Sequence, residues 1–285
     1  ADEGYQGLWS NPSIGSGNPI AMAIRAGISP QNLHKVPLHP MVIRGTDIPI
    51  PFEILDVGGR YRSESGDDID PLNHEGDAVV DMRFIDQQHS LWFDSIRKTI
   101  LDSTALDVSI DVIPVTHQVM ETTGGIPVDQ KGRVTIESGK MWATGVYAAA
   151  PSASTGFHTS SILPGNAMLE NLYTGSLAGK EAGKWSLNCD FGGSQNILQS
   201  LDSANKRIED LYKEKGDSVG AAETKLTTQA KSFLSGSATI ESLIETAEKA
   251  AEAVRTTTNT RVMNQEIVGA IRVQDIGTIA ASFAM

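Results

Sequence analysis

A chain of 285 residues, 40% of them apolar and 20% charged, can bury a substantial core and has the length for two or three modules. Its formal net charge of -12 repels phosphate backbones and anionic lipid, which excludes nucleic-acid or membrane-surface binding through a general basic face. Cys189 is the only cysteine, so neither an intrachain disulfide nor an all-cysteine zinc or iron–sulfur site can be built within the chain, a usage that fits a reducing compartment. No run of about 18 apolar residues occurs, and ADEGYQGLWSNP carries neither a basic n-region nor an apolar h-region. The expectation is a soluble, cytoplasmic protein without direct membrane insertion.

In chain order, the Gly/Asn/Pro-rich NPSIGSGNP leads into a helix-like run, AMAIRAGI, and VPLHPMVIRG then reads as a strand broken by Pro40. A polar loop, RYRSESGDDIDPLNHEGDA, precedes a helical pattern at Ile96 to Leu101. From Leu106, the alternation of Val108, Ile110 and Val112 with polar neighbours predicts a half-buried strand. Residues 113–184 supply GRVTI and GVYAAA as strands and NAMLENLYTGSLAGKEAG as a helix that follows a Pro-Gly turn, with Gly175, Ala178 and Gly179 expected to allow close packing. Residues 185–285 place Ile197, Leu198, Leu201, Ile208 and Leu211, then Ile240, Leu243, Ile244, Ala247 and Ala251, then Ile267, Ile271, Val273, Ile276 and Ile279 near helical spacing, which predicts a small helical bundle.

The stretch from Ile113 to Gly183 holds the strongest functional signal: paired glycines in METTGGIPVDQKGRV, a tyrosine-bearing strand in GVYAAAP, and a Gly-Asn element opening a helix in LPGNAMLENLY. Order and spacing resemble the succinate dehydrogenase/fumarate reductase flavoprotein family, which also includes L-aspartate oxidase. The likeness extends to AMAIRAGI with His39-Pro40-Met41, to GGRYRSESGDD, and to NQEIVGAIRVQDIGTIAASFAM. It implies an α+β capping domain with an adjoining FAD-domain segment at 1–112, the C-terminal part of an α/β FAD-binding domain at 113–184, and an all-α domain at 185–285. It further implies FAD as cofactor of a parent protein, a small organic acid as substrate, an iron–sulfur subunit as partner, and a peripheral place at a membrane through such partners. The dinucleotide-binding unit of that family lies ahead of anything present. GSGNPI at Gly15 to Ile20 lacks the third glycine and a preceding apolar strand, so it does not supply one. The resemblance therefore implies the C-terminal portion of a longer flavoprotein, inactive when isolated.

Carried over position by position, the resemblance makes Arg83 the candidate proton-transfer residue and His39 a substrate-contacting histidine. Met120 falls where the family has the histidine of His-x-x-Met-Gly-Gly, and a thioether donates no hydrogen bond to a carboxylate. His117, three residues upstream, is the candidate replacement, and His158 a further candidate for the cleft. The flavin-side candidates are Gly124, Gly125, Gly165, Asn166, Ala167 and Leu169, the last four at a helix start whose backbone N–H groups favour partial negative charge. Departures are equally specific. Ile162 replaces the carboxylate-clamping arginine, Pro151 the glutamate that reaches the FAD ribityl chain, Ala167 a serine, and Pro51-Phe52 the Thr-Glu pair. A non-catalytic relative that keeps the fold as a scaffold or assembly partner is the alternative. The six histidines have no metal-ligand spacing, and neither a G-x-S-x-G elbow nor a P-loop occurs.

Overall fold

The computed structural model describes residues 17–284, except 36–37, 47, 75, 120–122, 159–165, 191, 213–214 and 235. The chain divides into two compact units, Leu38–Met120 and the remainder, Ala1–Pro37 with Glu121–Met285.

In the unit of 38–120, four antiparallel strands, β1 (Leu38–Ile43), β2 (Arg60–Ser63), β3 (Ala78–Asp81) and β4 (Ile113–Val119), lie in the order β1-β4-β3-β2. Pro40 does not break β1. It sits on an edge strand, and the register shifts between His39 and Val42, so the missing N–H is absorbed at an irregularity. Short α2 (Glu53–Asp56) precedes β2, whereas α3 (Gln87–Ser90) and α4 (Asp94–Thr104) follow β3. Met41, Ile43, Ile54, Tyr61, Val80, Phe93, Ile100, Ile113 and Val115 form its core.

Two further expectations fail in this unit. Arg60–Ser63, read as loop, is a strand, because its polar residues pair with the apolar β3 rather than alternating themselves. The 106–112 alternation is a turn: Ser109 N–H and Oγ–H both donate to Asp107 Oδ1 (2.9 and 2.6 Å), Asp107 N–H donates to Asp111 Oδ2 (2.9 Å), and Ile110 is left exposed. A boundary at 112 would also strip β4 from the sheet it completes.

In the other unit, α1 (Asn18–Arg25) begins after Gly17 at φ +61°, with Pro19 in its first turn. It buries Ile20, Ala21 and Ala23 against Ile126, Val134 and Ile279. Paired short strands follow: β5 (Ile126–Pro127) lies parallel to β8 (Ala153–Ser154), and β6 (Arg133–Ile136) antiparallel to β7 (Met141–Tyr147). The helix α5 spans Asn166–Ser186 as the sequence predicts. Of its small residues only Ala178 is closely packed, opposite Gly132; Gly175 and Gly179 face open space among the described residues.

Helix α6 (Ser194–Asp210) buries none of its residues. The bundle proper is α7 (Val219–Leu234), α8 (Ile240–Ala253) and α9 (Gln265–Ala281), with β9 (Asp217–Ser218) and β10 (Val254–Arg255) as a parallel pair. Leu226, Ala247, Ala250, Ala270, Val273 and Ile276 form the shared core. Fully buried Asp275 of α9 accepts from Arg25 Nη2 (2.6 Å) and Asn18 Nδ2 (2.7 Å), which fixes α1 to the bundle through a paired rather than isolated buried charge. Among the described residues no helix is long and apolar enough to cross a membrane.

Candidate functional site

The unit of 38–120 carries the first cluster. His39, the second residue of β1, lies opposite Gln118 of β4, and the irregularity at Pro40 lets Met41 N–H donate to His39 Nδ1 at 3.1 Å. That bond makes Nδ1 the acceptor and puts the ring proton on Nε2. The Phe52 ring lies 5.0 Å from the imidazole. Burial drives the His39 pKa down to about 4; the negative charge of Glu53 acts in the opposite sense, and His117 pushes it lower still. His39 is thus a neutral donor through Nε2–H near pH 7, with Glu53 and His117 close enough to act on it.

Glu53 was missed in the sequence, where Pro51-Phe52 stood at the Thr-Glu position. The signal was one residue further on, in the first turn of α2. His117 lies on β4, and His117 to Met120 keeps the His-x-x-Met spacing with residues 121–123 added before Gly124. Met120 itself falls outside the described residues.

Arg83 is elsewhere. Its Nε and Nη2 donate to Asp81 Oδ1 and Oδ2, both at 2.9 Å, and Arg62 Nη1 reaches Oδ2 at 2.8 Å. The hydrogen bond from Arg83 holds the fully buried Asp81 carboxyl below its ordinary range, against the effect of burial, and Asp81 in turn raises Arg83. A raised guanidinium is a weaker proton donor. Register settles the separation: Val80 pairs with Ile113 and His39 with Gln118, five residues apart on β4, or about 16 Å along the strand. The structure therefore brings His39, Glu53 and His117 to one end of the sheet and puts Arg83 at the other.

The second unit holds the flavin-side candidates. Gly124 and Gly125 lie between two backbone segments. A Cβ at Gly124 would meet Asn32 O at 2.3 Å, and one at Gly125, where φ is +152°, would meet Ser152 O at 2.3 Å. Gly125 also exchanges both backbone hydrogen bonds with Gln31, at 2.8 and 2.9 Å. Close backbone approach accounts for both glycines. Asn166 and Ala167 open α5 half-buried, with no acidic residue in its first turn; Leu169 is exposed, and so are Met168, Leu172 and Tyr173. Gly165 and Ile162 fall outside the described residues.

His158 Nε2 lies 3.2 Å from Glu170 Oε2, off the direction of a hydrogen bond, and Thr155 Oγ1–H donates to the other Glu170 oxygen. Glu170 so ties the 155–158 segment to the second turn of α5. A cleft of about 330 Å³ opens between α5 and the 128–132 turn, walled by Phe157 and Tyr173. No cluster of three or more His, Cys, Asp or Glu that could hold a metal ion occurs among the described residues.

No protein-family profile matches the chain. Curated relatives do. The L-aspartate oxidase of Yersinia pestis is 27% identical over 199 residues, covering 60% of this chain and 36% of that protein, and the L-aspartate oxidase of Mycobacterium bovis is 28% identical over 199 residues, covering 61% and 36%. Among solved structures, a chain of Escherichia coli quinol fumarate reductase superposes with a TM-score of 0.83 at 18% identity, over 99% of this chain and 56% of that one. The chain is related to the succinate dehydrogenase/fumarate reductase flavoprotein family. A second relative in fold, the Mycobacterium smegmatis Sdh1 complex, gives 0.75 at 18% identity over 97% of this chain and 50% of the other. The chain thus spans between a third and three fifths of the flavoproteins it matches.

Proposed function

We propose that this chain is the capping, partial FAD-binding and helical portion of an FAD-dependent oxidoreductase that exchanges electrons with a small organic acid. The observation that carries this is the end of the capping sheet: His39, kept neutral by burial, offers Nε2–H beside His117 and Glu53. A neutral donor suits a substrate carboxylate that must bind and leave, and a carboxylate near two imidazoles suits proton handling. FAD, when bound, would supply two-electron redox chemistry. The residues present fit one edge of it: the Asn166 and Ala167 N–H groups at the start of α5 would meet partial negative charge, and the exposed Met168, Leu169 and Leu172 would lie against an apolar surface. Gly124 and Gly125 serve that edge by letting β5 pack closely rather than by touching the cofactor.

An iron–sulfur partner subunit and a peripheral cytoplasmic position belong to the same reading, and the isolated chain is inactive. A longer protein carrying this chain should purify yellow and bleach on anaerobic addition of its organic acid, with His39→Ala reducing kcat/KM at least tenfold. A colourless protein, or a yellow one indifferent to His39, removes the proposal. The distance of Arg83 from His39 favours the second reading, a non-catalytic relative that keeps the fold as a scaffold, and a colourless protein would support it.

A further inference from the structure

Phe52 brings an apolar ring to the polar end of the sheet in the 38–120 unit. Its centroid lies 5.0 Å from that of His39, with the two planes tilted by 51°. The chain fixes this ring from both sides: Ile54 N–H donates to Pro51 O at 3.3 Å and Leu55 N–H to Phe52 O at 2.9 Å, while Ile54 is wholly buried in the core. Phe52 is itself half-buried against that core, so packing holds it beside the imidazole. Pro51-Phe52 is also where the sequence departs from the Thr-Glu pair of the resembling family. The surroundings of His39 are thus a phenyl ring, Glu53 and the His117–Gln118 end of β4.

Donors and charges at this end suit one carboxylate rather than two. Met41 N–H occupies His39 Nδ1, which leaves Nε2–H as the single donor of that ring. A second carboxylate set against Phe52 would give up water for a ring that offers no hydrogen bond and whose face is electronegative. Glu53, exposed and next in the chain, adds like-charge repulsion. A hydrocarbon group in the same place gains by leaving water for ring carbon.

We propose that Phe52 is a specificity-determining residue, which turns the His39 site toward monocarboxylates with an apolar tail and away from dicarboxylates. The inference rests on the oxidoreductase reading and names the substrate class of that same site. His39 Nε2–H takes the carboxylate, and the Phe52 ring takes the carbon chain.

Butyrate and succinate make the test, because they share a four-carbon skeleton and differ by a methyl in place of a carboxylate. Calorimetric titration of the yellow longer protein carrying this chain should give sodium butyrate a Kd at least tenfold below that of disodium succinate at matched ionic strength. Phe52→Lys, which supplies a cation, should reverse the order. Glu53→Gln, at an exposed position, should tighten succinate alone by about threefold, and His39→Ala should abolish binding of both acids. No measurable butyrate binding, succinate binding as tightly as butyrate, an order unchanged in Phe52→Lys, or butyrate binding kept in His39→Ala would each overturn the inference. In those cases a yellow protein that bleaches in a His39-dependent way leaves the oxidoreductase reading standing, whereas a colourless protein removes both. If Phe52→Lys fails to fold, the unsubstituted protein and Glu53→Gln decide the matter.

Discussion

His39 carries the clearest pH signature of any single residue. Its ordinary pKa of 6.5 falls to about 4 in the folded chain, so between these values the unfolded state binds more protons and stability rises with pH. The contribution is complete above pH 6.5, fades as pH falls, and is exhausted near pH 4. The full shift corresponds to about 3 kcal/mol at 1.36 kcal/mol per unit, and partial exposure of the ring reduces it to about 2. Urea unfolding of the wild type and of His39→Gln should therefore converge as pH drops from 6.5 to 4; parallel curves would show that the ring is not buried in its neutral form. Asp81 argues in the opposite direction. Both guanidiniums that hold it reach solvent, Arg83 at 41% exposure and Arg62 at 18%, so Arg83→Ala leaves Arg62 in place and should cost far less than removing the carboxyl. Asp81→Ala, which leaves two cations facing each other, should cost about 3 kcal/mol. Equal costs in denaturant titrations would mean that Arg62 does not share the load. The sequence led to His39 because a histidine beside a proline at a strand end is a local pattern. Counting residues through a loop, which led to Arg83, carries no information about which end of a sheet the count reaches.

Among the elements, glycine separates packed helices from unpacked ones. A Cβ at Gly277 of α9 would come within 2.4 Å of Ala251 Cβ and 2.9 Å of Ala247 O, so Gly277→Ala must push α9 away from α8 and should destabilise by about 2 kcal/mol. At Gly175 in α5 no described residue lies within 4 Å of an added Cβ, and Gly175→Ala should instead stabilise this chain by about 0.5–1 kcal/mol through helix propensity. Thermal melts of the two variants read the sign directly, and a destabilised Gly175→Ala would reveal a neighbour on that face of α5. Long helices were legible because their apolar period repeats over several turns, as in Ile240 to Ala251. β2 was not, since RYRS has no alternation and becomes a strand only through Val79 and Val80 across from it. The 106–112 segment had the alternation but also Asp107 and Asp111, whose side chains bond the backbone and fold the chain into a turn.

At the scale of the whole molecule, the cores are separate among the described residues: one cluster draws only on residues between 41 and 115, and the other two only on residues outside that range. Leu38 and Val119, the two ends of the inner unit, are paired neighbours on β1 and β4. A segment whose ends meet can be removed or inserted at small loop-closure cost. No period or composition change marks these points in the sequence, which is why the boundary was expected at 112. Two consequences follow from adjacency and separate cores together. Residues 38–120, expressed alone, should fold with a cooperative urea transition and a dispersed amide spectrum, marginal in stability as domains of that size are. The chain with 39–118 replaced by a short Gly/Ser linker should keep the helical signal of α7 to α9. Circular dichroism and NMR on the two pieces decide it. If 38–120 is collapsed without fixed side-chain packing while the linked remainder still folds, the inner unit depends on the outer one for its structure, and the His39 cluster forms only in the intact chain.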